Sequence, residues 1–224
     1  MKLLALRVAL PLLVGTLSLA PSSWAATITV TNPSFETLPN GPLPNSCGTG
    51  CAYSVDGVIP GWTTAGDTGL FQPGPPATTT FLNSVPDGVT VAYANAGTIS
   101  QTVGTLVQLG VVYTLTVDVG VRNDMADPGT EALVINGNTI FATGVLPTPG
   151  NFSTFTATYT GLAADVGQAI TIQLSSASKE GVFDNVQLSD STPSRVPEPA
   201  SMTLMGLATL AGAIMIRRKR QAKI

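Results

Sequence analysis

An all-β, antiparallel sandwich is the fold class this 224-residue sequence predicts, and three observations predict it. Short β-branched or alternating runs recur from Thr27 to Leu188. Turn signals such as Pro86-Asp87-Gly88 and Asn136-Gly137-Asn138 punctuate them. No stretch between the two ends of the chain holds a helical period over a dozen residues. About nine short strands in a body of about 170 residues suit one core between two packed sheets.

In chain order, residues 1–25 read as a secretory signal peptide. Lys2 and Arg7 charge its start, Val8 to Leu19 is uncharged and mostly apolar, and Ser23-Trp24-Ala25 offers small residues for cleavage after Ala25. The predicted strands follow at Thr27–Thr31, Val89–Tyr93, Thr98–Val103, Val111–Val121, Glu131–Ile135, Thr139–Ala142, Phe152–Tyr159, Ala169–Leu174 and Val182–Leu188. Val111–Val121 is the clearest: Tyr113, Leu115, Val117 and Val119 alternate with Thr114, Thr116 and Asp118, giving one apolar and one polar face. Leu38–Ser54 and Gly66–Thr80, rich in Pro, Gly and Thr, read as loops.

After the body (26–190), residues 191–199 form a polar, proline-containing linker ending in Pro197-Glu198-Pro199. The 17 residues Ala200–Ile216 carry no charge, and as a helix they would reach ~25 Å, the short limit for a bilayer core. Arg217-Arg218-Lys219-Arg220 opens a basic tail (217–224) expected on the cytoplasmic side. This tripartite order resembles the PEP-CTERM sorting signal of exported bacterial proteins. The resemblance implies a transmembrane sorting helix, recognition of Pro197, Glu198 and Pro199 by the protease-transpeptidase exosortase, transient anchoring in the inner membrane, and final placement at the cell surface or outside the cell. A permanent C-terminal anchor is the other reading.

Charge and composition exclude several functions. Between Ala26 and Pro199 lie all 13 acidic residues but only Arg122, Lys179 and Arg195 as bases, a formal charge of −10. Such a body is no nucleic-acid binder, which needs cations to displace counterions. The absence of histidine excludes Ser-His-Asp and Cys-His hydrolases and histidine-ligated zinc. Cys47 and Cys51 read as a small disulfide closing a loop in an oxidising compartment. Asp118, Asp124, Asp127 and Glu131 offer carboxylates for a glycosidase, but Asp124 to Asp127 reads more simply as an acidic turn before Pro128-Gly129. The body is expected to be no enzyme.

Five short motifs, in order, resemble the galactose-binding-like jelly rolls that include many carbohydrate-binding modules. They are Thr31-Asn32-Pro33-Ser34-Phe35-Glu36, Ile59-Pro60-Gly61-Trp62, Val85-Pro86-Asp87-Gly88, Thr98 to Val103 leading into Tyr113-Thr114-Leu115, and Gly181-Val182-Phe183-Asp184-Asn185-Val186. The resemblance implies an antiparallel jelly-roll β-sandwich that binds or organises extracellular polysaccharide, in a cell envelope or biofilm matrix; a structural or protein-adhesion domain without a sugar site is the alternative. Trp62, Tyr93 and Tyr53 are candidates to stack on sugar rings, although Trp62 also reads as a core aromatic pinned beneath its loop. By resemblance, a structural calcium ion joins Glu36 to Asp184, pinning the first strand to the last. The other reading makes them strand-end residues, with Asp184 accepting hydrogen bonds from a nearby turn.

Overall fold

A computed structural model describes residues 25–191, except 56, 75–77, 126–127 and 178. The expected signal peptide before Ala25, the expected linker beyond Ser191, Pro197 to Pro199, the apolar run and the basic tail lie outside the described residues. Among the described residues no helix is long and apolar enough to cross a membrane. The body from Ser23 to Pro193 forms one compact unit.

Eleven antiparallel strands build it: β1 (Ala25–Ile28), β2 (Asn45–Gly48), β3 (Cys51–Tyr53), β4 (Thr63–Gln72), β5 (Val91–Leu106), β6 (Val112–Gly120), β7 (Thr130–Ile135), β8 (Asn138–Phe141), β9 (Phe152–Thr160), β10 (Ala169–Ser175) and β11 (Gly181–Ser191). A single helical turn, α1 (Thr78–Phe81), and a 3-10 turn at Ala163–Asp165 are the helical pieces described.

One layer runs β9, β6, β11. The far edge of β11 is shared: β1 pairs with its end (Ala25 with Ser191, Ile28 with Leu188), and the start of β5 pairs with its beginning (Gly181 with Ala94, Phe183 with Ala92). Beyond β5 come β4, β3 and β2. The second layer is the end of β5 with β10, β7 and β8. The β4–β5 ribbon belongs to both layers, because it folds over at a bulge between Ala65 and Asp67 opposite Asn95 to Gly97. Gly66 at φ +75° and Ala96 at φ +48° make that corner. A side chain at Gly66 would meet the Ala96 carbonyl oxygen at 2.8 Å, so the corner needs glycine.

The main core lies between the layers. Leu115 and Val117 of β6 and Leu188 of β11 pack with Ile99 and Val103 of β5, Leu133 and Ile135 of β7, and Ile170, Ile172 and Leu174 of β10. Each buried aliphatic side chain of this kind contributes about 1.5–3 kcal/mol. Along β6 the buried and half-buried residues alternate as its sequence predicts. A second, smaller cluster covers the outer face of the first layer: Phe71, Val91, Tyr93 and Val182, with Cys51 and Leu82. Their neighbours Leu70, Ala92, Ala94 and Phe183 point the other way, into the main core. These strands are buried on both sides, so no polar alternation marks them.

That explains two corrections. Leu38–Ser54 and Gly66–Thr80 are not simply loops, for they hold β2, β3 and most of β4. β4 reads TTAGDTGLFQ, in which two glycines and a doubly buried end erase the period of two. The runs Val89–Tyr93 and Thr98–Val103, expected as two strands, are one bent strand, β5. The other predicted runs fall on β1 and on β6 to β11, with ends shifted by up to three residues.

Register also sorts the molecule end to end. Val112 pairs with both Ser191 and Thr160, so the chain leaves β11 beside the start of β6 and the end of β9. Gly120, Phe152 and Val182 gather at the opposite end.

Candidate functional site

At that opposite end, on the outer face of the first layer, opens a cleft of about 310 Å³. Tyr53, Phe71, Phe81 and Tyr93 give it aromatic walls; Asp67, Asn95, Arg122 and Glu180 give it polar groups. Strand alternation aims the walls: Tyr93 and Asn95 share the outer face of β5, and Asp67 and Phe71 that of β4. Gly69 stands between them without a side chain, because a Cβ there would lie 2.7 Å from the Tyr93 ring and 2.2 Å from the Ser54 carbonyl oxygen. Tyr93 is only 5 % exposed and donates its hydroxyl to that carbonyl, so it is a fixed wall. Cys47 and Cys51 are paired as a disulfide at the rim, with Cα atoms 5.1 Å apart, closing the β2–β3 hairpin beside Tyr53.

Arg122 organises the polar side. It donates to Glu180 Oε1 at 2.6 Å and to both Asp124 oxygens at 2.9 and 2.7 Å. Its guanidinium also lies over Phe81 (4.7 Å to the ring centroid) and Phe71 (5.7 Å), within cation–π range. Burial pulls the Arg122 pKa down, but hydrogen bonds and charge from Asp124 and Glu180 outweigh it and hold it above its ordinary value. The Arg122 hydrogen bonds hold the Asp124 carboxyl below the usual range. Backbone bonds from Asn123 to Phe81 (2.9 Å) and from Asn83 to Gly150 (2.7 Å) pin the Phe81 segment in place. Asp67 differs from Glu180, the other carboxylate lining the cleft: its Oδ1 is buried and has no hydrogen-bond partner. The cleft thus combines aromatic faces, a fixed ion pair and one acceptor ready for a donor.

The other predicted site residues gather elsewhere, in a knot of turns. Trp62 is 8 % exposed; its ring packs 5.4 Å from Phe35, and its indole N–H is donated to the Asn32 carbonyl at 3.1 Å. Gln101 ties the same turns together, accepting from Thr31 N (2.7 Å) and donating to Thr31 O (2.9 Å) and Gly61 O (2.8 Å). Glu36 Oε1 accepts the amides of Val89 (2.8 Å) and Thr90 (2.7 Å). Asp184, fully buried, accepts the amides of Asp87 (2.9 Å) and Asn185 (2.7 Å). Glu36 and Asp184 therefore grip one turn, residues 87–90, from two sides. Burial pushes the Asp184 carboxyl up to about 7, with repulsion from Asp87 and Asp118 adding to it against the two amide bonds. As a calcium donor set this is lean: among the described residues no group of three or more acidic, histidine or cysteine side chains could hold a metal ion, and calcium takes 6–8 oxygens.

Tyr53 and Tyr93 are therefore brought together at the cleft, while Trp62, Glu36 and Asp184 are brought together in the knot. Sequence reasoning passed over Asp67, Phe71, Phe81, Asn95, Arg122 and Glu180. One signal for them was present: Arg122 is one of three bases in a strongly acidic body, and a lone internal cation needs a carboxylate partner.

Residues 26–189 match the family described as HpiC1-like, HpiC1 cyclase. The chain belongs to this family. Residues 195–220 match the PEP-CTERM protein-sorting motif, which marks an exported protein sorted by way of the membrane. No curated protein matches the chain. Among solved structures, the HpiC1-like chain is similar to the CBM22-1 xylan-binding domain of Paenibacillus barcinonensis Xyn10C, at 13% identity and TM-score 0.42 over 62% of this chain and 91% of that one. It is similar to the CBM22-1–GH10 modules of Clostridium thermocellum xylanase 10B, at 18% identity and TM-score 0.37 over 60% and 26%. It is also similar to TmCBM61, solved with β-1,4-galactotriose, at 17% identity and TM-score 0.33 over 73% and 98%. These neighbours are carbohydrate-binding modules, and nothing about the present cleft follows from likeness at this level.

Proposed function

We propose that the exported body binds a sugar chain of an extracellular polysaccharide in the Tyr53–Tyr93 cleft, after exosortase has processed the tail at Pro197-Glu198-Pro199. The unpartnered Asp67 Oδ1 among aromatic walls carries this reading. A sugar supplies both halves of what the cleft lacks: hydroxyl donors for a buried acceptor and a C–H face for an aromatic ring. Arg122 is already committed to Asp124 and Glu180. The charge left over is negative, which favours neutral or amino sugars over uronates. The body from 26 to 195, displayed to a glycan array, should bind neutral or amino-sugar chains. Binding to none would favour a structural or protein-adhesion domain.

The family name favours a second reading: the same cleft performs a cyclisation, with Asp67 as its acid. Binding weighs more, because Glu180 and Asp124 are spent on Arg122 and no second free carboxylate stands opposite Asp67 among the cleft residues. A calcium ion on Glu36 and Asp184 is a separate proposal. Chelator should then lower the melting temperature of the parent but leave Asp184→Ala unmoved.

A further inference from the structure

Leu106 (51% exposed) ends β5 and Leu109 (67%) sits on the β5–β6 connection, and Leu162 (57%) and Val166 (52%) sit on the β9–β10 connection. Single exposed aliphatics are ordinary, but these four share one end of the sandwich. Their two loops are clasped by backbone bonds from Gly110 to Gly161 (2.8 Å), Val107 to Gln168 (2.9 Å), Gly167 to Val107 (2.9 Å) and Gly161 to Val111 (2.9 Å). Two tyrosines brace them from beneath. The Tyr113 hydroxyl accepts the Gln108 amide (2.9 Å) and donates to the Leu106 carbonyl (3.2 Å). The Tyr159 hydroxyl donates to Asp165, which also accepts from Asn136 (2.9 Å). The apolar side chains are thus held outward on a stiff rim.

The same end is where the chain leaves: Ser191 pairs with Val112, the first residue after the β5–β6 connection. Only the eight residues 192–199 separate it from the uncharged run at Ala200. Eight residues span at most ~29 Å, so an anchored precursor keeps this end close to the lipid. Residues 106–111 and 160–168 contain no Lys or Arg, so contact would rest on apolar burial alone.

We propose that Leu106, Leu109, Leu162 and Val166 seat the precursor on the bilayer surface while its tail is anchored. This rests on the sorting reading of the tail. The cleft, at the far end of β11, then stands roughly 30 Å from the membrane. Seating would also hold the linker at the surface, where a membrane protease works.

The test uses the full chain in liposomes of phosphatidylethanolamine and phosphatidylglycerol, spin-labelled through Leu109→Cys or, at the cleft end, Val145→Cys (82% exposed). The native cysteines are tied to each other and do not react. The label at 109 should collide with lipid-soluble oxygen several-fold more, and with a water-soluble nickel chelate several-fold less, than the label at 145. High salt should not weaken the contact, since neither loop carries a Lys or Arg to pair with the anionic lipid. Adding Leu106→Ser and Leu162→Ser should restore nickel access at 109 without altering the circular dichroism. Equal nickel access at both sites overturns the proposal while leaving the anchor intact. Shielding at 109 from both reagents would mean a second protein copy and overturns it too. Failure of the chain to float with the liposomes overturns both the seating and the anchored state beneath it.

Discussion

The knot of turns and the cleft are built from opposite kinds of residue. In the knot, four of the motifs readable in sequence order meet by direct hydrogen bonds: Asn32 with Trp62, Glu36 with the 87–90 turn, and that turn with Asp184. Gln101, from a fifth, ties in Thr31 and Gly61. Trp62, Gln101 and Asp184 are buried, and with Glu36 they spend polar atoms on backbone groups, which is the chemistry of holding a fold. In the cleft, Tyr53, Asp67, Phe81, Arg122 and Glu180 come from five separate segments, and one acceptor is left open. Motif residues here secure the scaffold, and the proposed binding surface is drawn from segments outside the motifs.

The comparison breaks most visibly at Trp62. Trp62→Ala should cost about 4 kcal/mol, because it opens a cavity against Phe35 and removes one of the two hydrogen bonds that the Asn32 carbonyl accepts. Denaturant melts would register this, and any glycan preference should survive in the protein that remains folded. A stable Trp62→Ala that lost binding would put Trp62 in the site instead.

Arg122→Ala is expected next, at about 3 kcal/mol, since it strands the buried Glu180 carboxylate and removes the cation from Phe81. Unlike Trp62→Ala it should also change binding, because Arg122 lines the cleft. Thermal melts and glycan binding measured together separate the two.

A smaller effect sharpens the knot. The Asp184 carboxyl titrates near 7 folded and near 4 unfolded, so between those values the folded state holds the extra proton. Its contribution to stability is therefore present below about pH 4 and lost as pH rises through about 7. Parent melting temperatures should fall across that window more steeply than those of Asp184→Asn, and parallel profiles would contradict the assignment.

Much of the fold was legible. The Tyr113–Val119 alternation is the pattern of a strand with one face in the core, and the structure buries those four residues. β4 was not legible, because a strand buried on both faces only towards its end and broken by Gly66 and Gly69 shows no period. Tyr93 and Tyr53 could be nominated as aromatics, and both line the cleft. Asp67 could not, since its importance comes from a missing partner, which only the packed structure defines.

The central claim, that the cleft is the binding surface and the knot is its scaffold, is tested most directly by one comparison on a glycan array: the parent body beside Asp67→Asn and Trp62→Phe. The account predicts that the parent binds a neutral or amino-sugar chain and that Trp62→Phe keeps this binding. Asp67→Asn should lose roughly tenfold or more, as expected for a hydrogen bond to a charged acceptor. A parent that binds nothing, or an Asp67→Asn that binds as the parent does while Trp62→Phe fails, would contradict it.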